Sequence, residues 1–504
     1  MKYNNILLTM GFITILIGGS CKKSFLDTVA QDGSVSDATA FKTNADFKAG
    51  VIGIYTSLQG GNAAGENWIK IPAFISQDMT DVAQAVKPIS SYMTPNNGDF
   101  VGYWTELYKI VASANIIIEK LPKAPAGILT PAESKSYEAQ AKFLRGFAYF
   151  MLARAFGDVP MPLTSYTPDL NSLACTPEAQ IWAEVIKDLT FAAANLPEAN
   201  DWAAADKGRA TKGGALAYLA NAYMYVKDWT NAGKATADLF GLTKPKYEMA
   251  PSCRTAFSII LKATSAYTKE NIFEVQYRTK AGDNFQWGGT PNTGHLQAGL
   301  NGPRGIGNKY SAWGGWGEQT VNIKAVNSFE PGDDRRKHLI IKYGESHKGE
   351  LFADSLKGAA WDPCKQTNSG FCAKYWLGDD GEQLSNQNLP QMRFAEVLLN
   401  NAEILFNQTN SAGAYENLNL VRQRAKLPAL PVSSDAIVFM KNLMDERRHE
   451  LLFEPNLWFH YTRTKTAAKF LLDNYGITMQ EKWYRFPIPQ RDRDVNPSLC
   501  SNGY

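Results

Sequence analysis

The sequence predicts a mainly α fold: a tetratricopeptide-like scaffold of helical hairpins, broken by an irregular, loop-rich insertion with short β-strands. Apolar residues recur at helical spacing in segments that come in pairs, within 39–241 and again within 388–504. Alanine and glycine stand inside these segments where neighbouring helices must approach, as in helix–turn–helix repeats of about 34 residues. Between the two helical regions, 242–387 changes to glycine- and asparagine-rich runs, aromatics and β-like stretches. Such material is poor for a core and good for loops that present side chains.

The chain opens on a processing signal. Lys2 precedes an apolar run from Ile6 to Ile17, then Gly18, Gly19 and Ser20, with Cys21 directly behind. The run is too short to span a bilayer, and the small residues fit a peptidase cleft. A cysteine at that place is what lipoprotein processing needs: its thiol is acylated and the chain is cut before it. Residues 1–20 are therefore expected to be a signal peptide and Cys21 the lipid-bearing N-terminus, with 21–38 as a tether. Gly18 stands where such sites usually carry Leu, and Lys22 and Lys23 replace the acidic residues that favour surface export. Acyl chains contribute about 0.8 kcal/mol per buried methylene, enough to anchor the chain to a membrane without spanning it.

The helical elements follow in order. Residues 104–121 (WTELYKIVASANIIIEKL) carry apolar residues at helical spacing and stop before Pro122. The segment 136–160 (SYEAQAKFLRGFAYFMLARAFGDVP) is apolar nearly all round and belongs inside a stack; Gly157 and Pro160 end it. Arg145 in this helix then needs a buried partner. A second pair spans 178–196, with Thr176 as cap and Pro177 in the first turn, and 209–229. A third spans 391–408 (QMRFAEVLLNNAEILFNQ) and 414–427, followed by a helix over 434–454. Within the insertion, NIFEVQYR (271–278) and HLIIKY (338–343) are the β-like stretches.

Composition excludes several classes. The net charge is +3, and Lys and Arg form no stripe, which argues against nucleic acid. The aromatic count is high, with 12 Trp, 22 Tyr and 25 Phe, and Trp and Tyr not needed for a core often stack on flat, weakly charged ligand faces. Of six Cys, Cys21 is set aside for the lipid, so five remain and no complete disulfide framework exists. Cys364 and Cys372 are close enough to close a small loop as a disulfide; Cys175, Cys253 and Cys500 are expected as buried thiols.

Seven segments in order resemble the SusD/RagB family of Bacteroidetes outer-membrane nutrient-binding lipoproteins. They are WTELYKIVASANIII, EAQAKFLRGFAYFMLARAFGDVPM, GRATKGGALAYLANAYMYVKDW, MRFAEVLLNNAEILF, LNLVRQRAKLP, ERRHELLFEPNLWFHYTR and WYRFPIPQRDRDVNP. The resemblance runs from about residue 100 to the C-terminus. It implies a lid on a SusC-like TonB-dependent transporter, with an oligosaccharide captured on irregular loops and no catalysis. The anchor would lie on the extracellular face of the outer membrane. Members of this kind also take peptides, and an adaptor that binds only its barrel is a third reading. Pro455, Leu457 and His460 replace the Gly, Arg and Asp usual in the family, so an Arg–Asp contact is lost there.

A sugar ring offers an apolar face to an aromatic and a hydroxyl rim to planar hydrogen-bonding groups. The expected ligand cluster is Asn284, Gln286, Trp287, Arg304, Tyr310, Trp313 and Trp316. A second group in the N-terminal loops is Trp68, Asp78, Tyr92 and Asn97. Trp104, Trp182 and Trp458 lie on helical faces and are expected in the core.

An enzyme would need an activated pair. Glu396 and Glu403 share a helical face about 10 Å apart and look like structural partners of Arg393, Arg422 or Arg424. Asp333 and Asp334 beside Arg335 and Arg336 suggest a turn with paired charges. Glu446, Arg447, Arg448 and Glu450 suggest a solvated or interhelical network. No HExxH, P-loop or GxSxG motif is present. Acidic turns could hold Ca²⁺, although none has EF-hand spacing; no cofactor is expected.

Overall fold

The computed structural model describes residues 40–504 apart from 64, 82–87, 166–171, 254, 257–268, 278–293, 303–316, 343–344, 348–349, 352–369 and 376–386. Cys21 and the expected signal and tether lie outside the described residues.

Helix α1 (Asn44–Gln59) begins at a capping box, in which Thr43 and Asp46 satisfy each other's backbone N–H. Helix α2 (Glu66–Ile75) leads into strand β1 (Met79–Asp81), then the short α3 (Ile89–Tyr92). Helix α4 (Gly98–Lys120) packs along α5 (Pro131–Phe156), which starts with Thr130, Pro131 and Glu133 as cap, first-turn proline and box. As its all-round apolar character requires, α5 is buried along most of its length. Arg145 on it finds the expected partners, Asp188 (2.8 Å) and Glu184 (3.2 Å) of α6 (Glu178–Asn195) and Asn115 (2.9 Å) of α4. A Cβ on Gly146 would stand 3.2 Å from Asp188 Cβ, so glycine permits the close α5–α6 approach.

The start of α6 differs from expectation. Pro177 is itself the N-cap, and Thr176 bridges to Val159, so its side chain does no capping; Asp158 accepts from Glu178 N instead (2.8 Å). Helices α7 (Lys212–Tyr225) and α8 (Trp229–Phe240) complete the first run.

Strand β2 (Asn271–Val275) crosses to pair antiparallel with β8 (Leu389–Arg393). The segment QMR thus belongs to a strand rather than a helix. Pro390 cannot donate within a helix, and pairing with β2 supplies the alternative. Between them come α9 (Gln297–Asn301), β3 (Gln319–Val321), α10 (Ile323–Val326), α11 (Asp334–Leu339), β4 (Ile340–Lys342), β5 (Ser346–His347), β6 (Glu350–Leu351) and β7 (Gly370–Cys372). Of HLIIKY only Ile340–Lys342 is strand; His338 and Leu339 finish α11. The sheet order is β1-β3-β7-β4, every neighbour antiparallel.

The chain returns to helix in α12 (Phe394–Asn407), α13 (Ser411–Arg424), α14 (Ala436–Leu451), α15 (Asn456–Arg463), α16 (Ala467–Tyr475) and α17 (Gln490–Val495). Helix α12 packs against α8 and α13, continuing the stack past the insertion. Trp104, Trp182 and Trp458 are buried as expected. No helix among the described residues is long and apolar enough to cross a membrane.

The charged face of α14 is buried and therefore not solvated. Arg447 donates to Glu403 (2.8 Å), Arg448 to Asp78 (2.8 Å), Arg335 to Glu446 (2.6 Å) and Arg393 to Glu450 (3.0 Å). The expected pairing of Glu396 and Glu403 with Arg393, Arg422 or Arg424 is incorrect, because those arginines turn toward Glu270, Glu330, Glu446 and Glu450. Arg335 pairs with Asp333 across its turn, as expected (2.8 Å).

The cysteine expectations are also corrected. Cys175 and Cys500 form a disulfide that joins the C-terminus to the strand-like stretch before α6. Cys372 is a free thiol sealed in β7, so it does not pair with Cys364, which lies outside the described residues. Cys253 is a buried thiol, as expected.

Candidate ligand site

The sheet sets where several chain segments enter and leave. Asp81 of β1 pairs with Gln319 of β3, and Ile340 of β4 pairs with Cys372 of β7. With Thr320 opposite Phe371, the exit of β1, the entry of β3 and the exit of β7 fall at one end of the sheet. These are the attachment points of 82–87, 303–316 and 376–386.

A buried polar base joins the segment 278–293 to the same place. The Tyr277 ring meets His295 edge-on at 4.9 Å, and Tyr277 N donates to Asn388 Oδ1 (3.3 Å). His295 Nε2 lies 2.9 Å from the Gln387 carbonyl, and Gln297 N donates to His295 Nδ1 (3.1 Å). Burial pushes His295 down to about 4. Its ring is therefore neutral near pH 7, and the partners assign the proton to Nε2. Asn301 Nδ2 donates to Gln297 Oε1 (2.8 Å) and Gln319 Oε1 (3.1 Å), while Glu318 N donates to the Leu300 carbonyl (3.1 Å). All these carboxamides are buried, and their mutual bonds offset the desolvation that an unpaired amide would suffer. The base fixes both ends of 278–293 and of 303–316.

Those two stretches carry Asn284, Gln286, Trp287, Arg304, Tyr310, Trp313 and Trp316, all outside the described residues. Sequence reasoning missed the base itself. Its signal was available as polar residues bracketing each glycine-rich run: His295, Gln297 and Asn301, Gln319, then Gln387 and Asn388.

The N-terminal group is largely structural. Trp68 is 1% exposed and stacks on Tyr103 and Phe459 (5.7 and 6.3 Å), so it cannot present a face to a ligand. Asp78 is also 1% exposed, paired with Arg448 and accepting from the Tyr475 hydroxyl (2.7 Å). Tyr92 is half-buried, with its hydroxyl donated to Asp99 (2.7 Å) and its ring against Phe74 and Phe100. Asn97 caps α4 by accepting from Asp99 N (2.9 Å).

Neither candidate carboxylate is arranged for acid–base work on a substrate. Glu403 lies between Arg447 and Arg463; burial acts upward on it, but the two guanidinium groups hold it down at about 2. Burial pushes Glu396 up to about 7, but the side chain is sealed against His460 (2.9 Å) and Asn456 (2.8 Å). Among the described residues, no three His, Cys, Asp or Glu groups gather at metal-binding distance.

Helical hairpins joined to a small antiparallel sheet are an architecture with solved relatives. A laminarin-binding SusD-like protein superposes with a TM-score of 0.77 at 23% identity, covering 92% of this chain and 100% of that one. A SusD superfamily protein from Bacteroides vulgatus gives 0.76 at 21%, with the same coverage. In sequence, SusD-like protein P2 of Formosa agariphila is 26% identical over 502 residues, 93% of this chain and 94% of that protein. A profile described as SusD family matches 269–504, and a SusD-like profile described as "Starch-binding associating with outer membrane" matches 25–224. The chain belongs to the SusD/RagB family.

Proposed function

We propose that this protein captures oligosaccharide at the cell surface and delivers it to a SusC-like TonB-dependent transporter, acting as a binding protein and not as an enzyme. It would be held to the outer membrane by the lipid on Cys21, with 21–38 as tether and 242–387 as the ligand-bearing insertion. One observation carries this reading. Two segments that hold Trp287, Trp313 and Trp316 are flanked by residues of a buried, hydrogen-bonded base at one end of the sheet. The laminarin-binding relative and the starch-binding, outer-membrane description of the matching profile support a glycan as the guest.

Recognition would come from indole faces stacking on sugar rings, with Asn284, Gln286 and Arg304 bonding to hydroxyls. Affinity should be modest, since capture has to be followed by release. The test is retention in native gels cast with laminarin, starch or other glycans, alongside a peptide array. Trp287→Ala and Trp313→Ala should lose retention on the parent's glycan with the melting temperature unchanged. Peptide binding without glycan binding, or two variants that bind like the parent, would overturn the assignment.

A further inference from the structure

Arg154 on α5 is 2% exposed, and among the described residues its hydrogen-bond partner is an amide rather than a carboxylate. Other buried arginines reach carboxylates, as Arg145 reaches Asp188, Arg393 reaches Glu270, and Arg448 reaches Asp78. Arg154 Nη1 donates to Asn456 Oδ1 (2.9 Å), while Nε and Nη2 have no hydrogen-bond partner. The guanidinium sits among aromatic rings, with its carbon 4.1 Å from Phe459, 4.6 Å from Trp68 and 5.2 Å from Phe150. Two more buried polar groups stand at this cage, Trp68 Nε1, which has no hydrogen-bond partner, and the Tyr103 hydroxyl. Burial pushes Tyr103 up, opposed by the Arg154 charge and by a side-chain hydrogen bond with Arg154, which places the two groups side by side.

A guanidinium stays charged at any relevant pH, and burying a charge without a counter-ion is strongly unfavourable. The nearest carboxylate on this path, Glu396, is separated from Arg154 by the Asn456 amide, which donates to it (2.8 Å). Arg154 and the indole can only donate, and the phenol can donate as well. Donors around one positive charge call for a compact acceptor carrying one negative charge. A larger oxyanion would need more polar walls than aromatic rings provide.

We propose that Arg154, Tyr103 and Trp68 form an internal site for a small monovalent anion, chloride in ordinary media, that clamps α2 and α4 to α5 and α15. Helix α2 leads directly into β1, so the anion would help seat the sheet from which the ligand loops leave.

Crystals of the full chain soaked in sodium bromide should give an anomalous peak beside Arg154 Nε and Nη2. Melting in sodium chloride should exceed that in sodium gluconate of equal ionic strength by about 2 °C. Tyr103→Phe, which keeps the ring, should at least halve that difference, and Arg154→Met should abolish it. Should Arg154→Met fail to fold, the bromide map and Tyr103→Phe still decide. A water in place of bromide, with equal melting in both salts, would overturn the proposal.

Discussion

Glu396 and His460 hold one proton between them inside the scaffold, and the arrangement makes a pH signature. Burial pushes Glu396 up to about 7 from 4.5 and pushes His460 well below 6.5; Arg447, Arg463 and Arg154 add to the depression of His460. Glu396 also feels Glu454, which acts upward, and Arg154 and Arg447, which act downward. Between pH 4.5 and 6.5 the unfolded chain binds the proton on His460, and the folded chain binds it on Glu396. Both states hold one, so the pair adds no pH slope to stability. Glu396→Gln removes one half: the unfolded state then gains a proton that the folded state refuses, and stability should fall as pH drops below 6.5. His460→Gln should do the reverse, with stability falling as pH rises from 4.5 through about 7. Denaturant titrations at pH 5 and pH 8 separate the two, and parallel behaviour of both variants would refute the shared proton. Glu403 behaves differently. Its depressed carboxyl stabilises the fold fully above pH 4.5, and that contribution is lost as pH falls through about 2. Glu403→Gln should cost about 3–5 kcal/mol at pH 7, because Arg447 and Arg463 stay buried without their anion.

Helix α14 shows the same physics along a whole element. Alternating charges at helical spacing were legible in the sequence, but their burial was not, since the partners lie far away in the chain. Arg448 meets Asp78 across 370 residues, and Arg335 meets Glu446 across 111. Likewise, an arginine inside an apolar helix showed that Arg145 needs a partner, while only the fold identifies Asp188. The contrast between faces of α14 can be measured. Glu450 is buried beside Arg335, Arg393 and Arg424, whereas Lys441 and Asp445 are exposed. Glu450→Gln should destabilise by about 3–5 kcal/mol, and Lys441→Ala by less than about 0.5 kcal/mol. Equal effects in urea unfolding would mean that the network does not hold the insertion to the scaffold.

At the scale of the molecule, periodicity disclosed the helical stack because each hairpin buries a repeating apolar face. The insertion was harder to read, since its sheet pairs β1 from before most of the stack with β3, whose Thr320 lies 240 residues beyond Thr80. Trp68 and Asp78 were misassigned for that reason: beside a glycine-rich stretch they resembled loop residues, yet α2 and β1 carry both into the interior. The polar base, by contrast, makes the proposed separation of ligand segment and scaffold directly testable. Glu318 N and the Leu300 carbonyl are bonded at 3.1 Å, so the chain already closes below 303–316 without help from that segment. Replacing 303–316 with Gly-Ser-Gly should therefore leave the melting temperature within about 2 °C of the parent, since a shorter loop changes closure entropy only slightly. Glycan retention should disappear with Trp313 and Trp316. A large drop in melting temperature would place those indoles among the core side chains and remove the basis for a separable ligand surface.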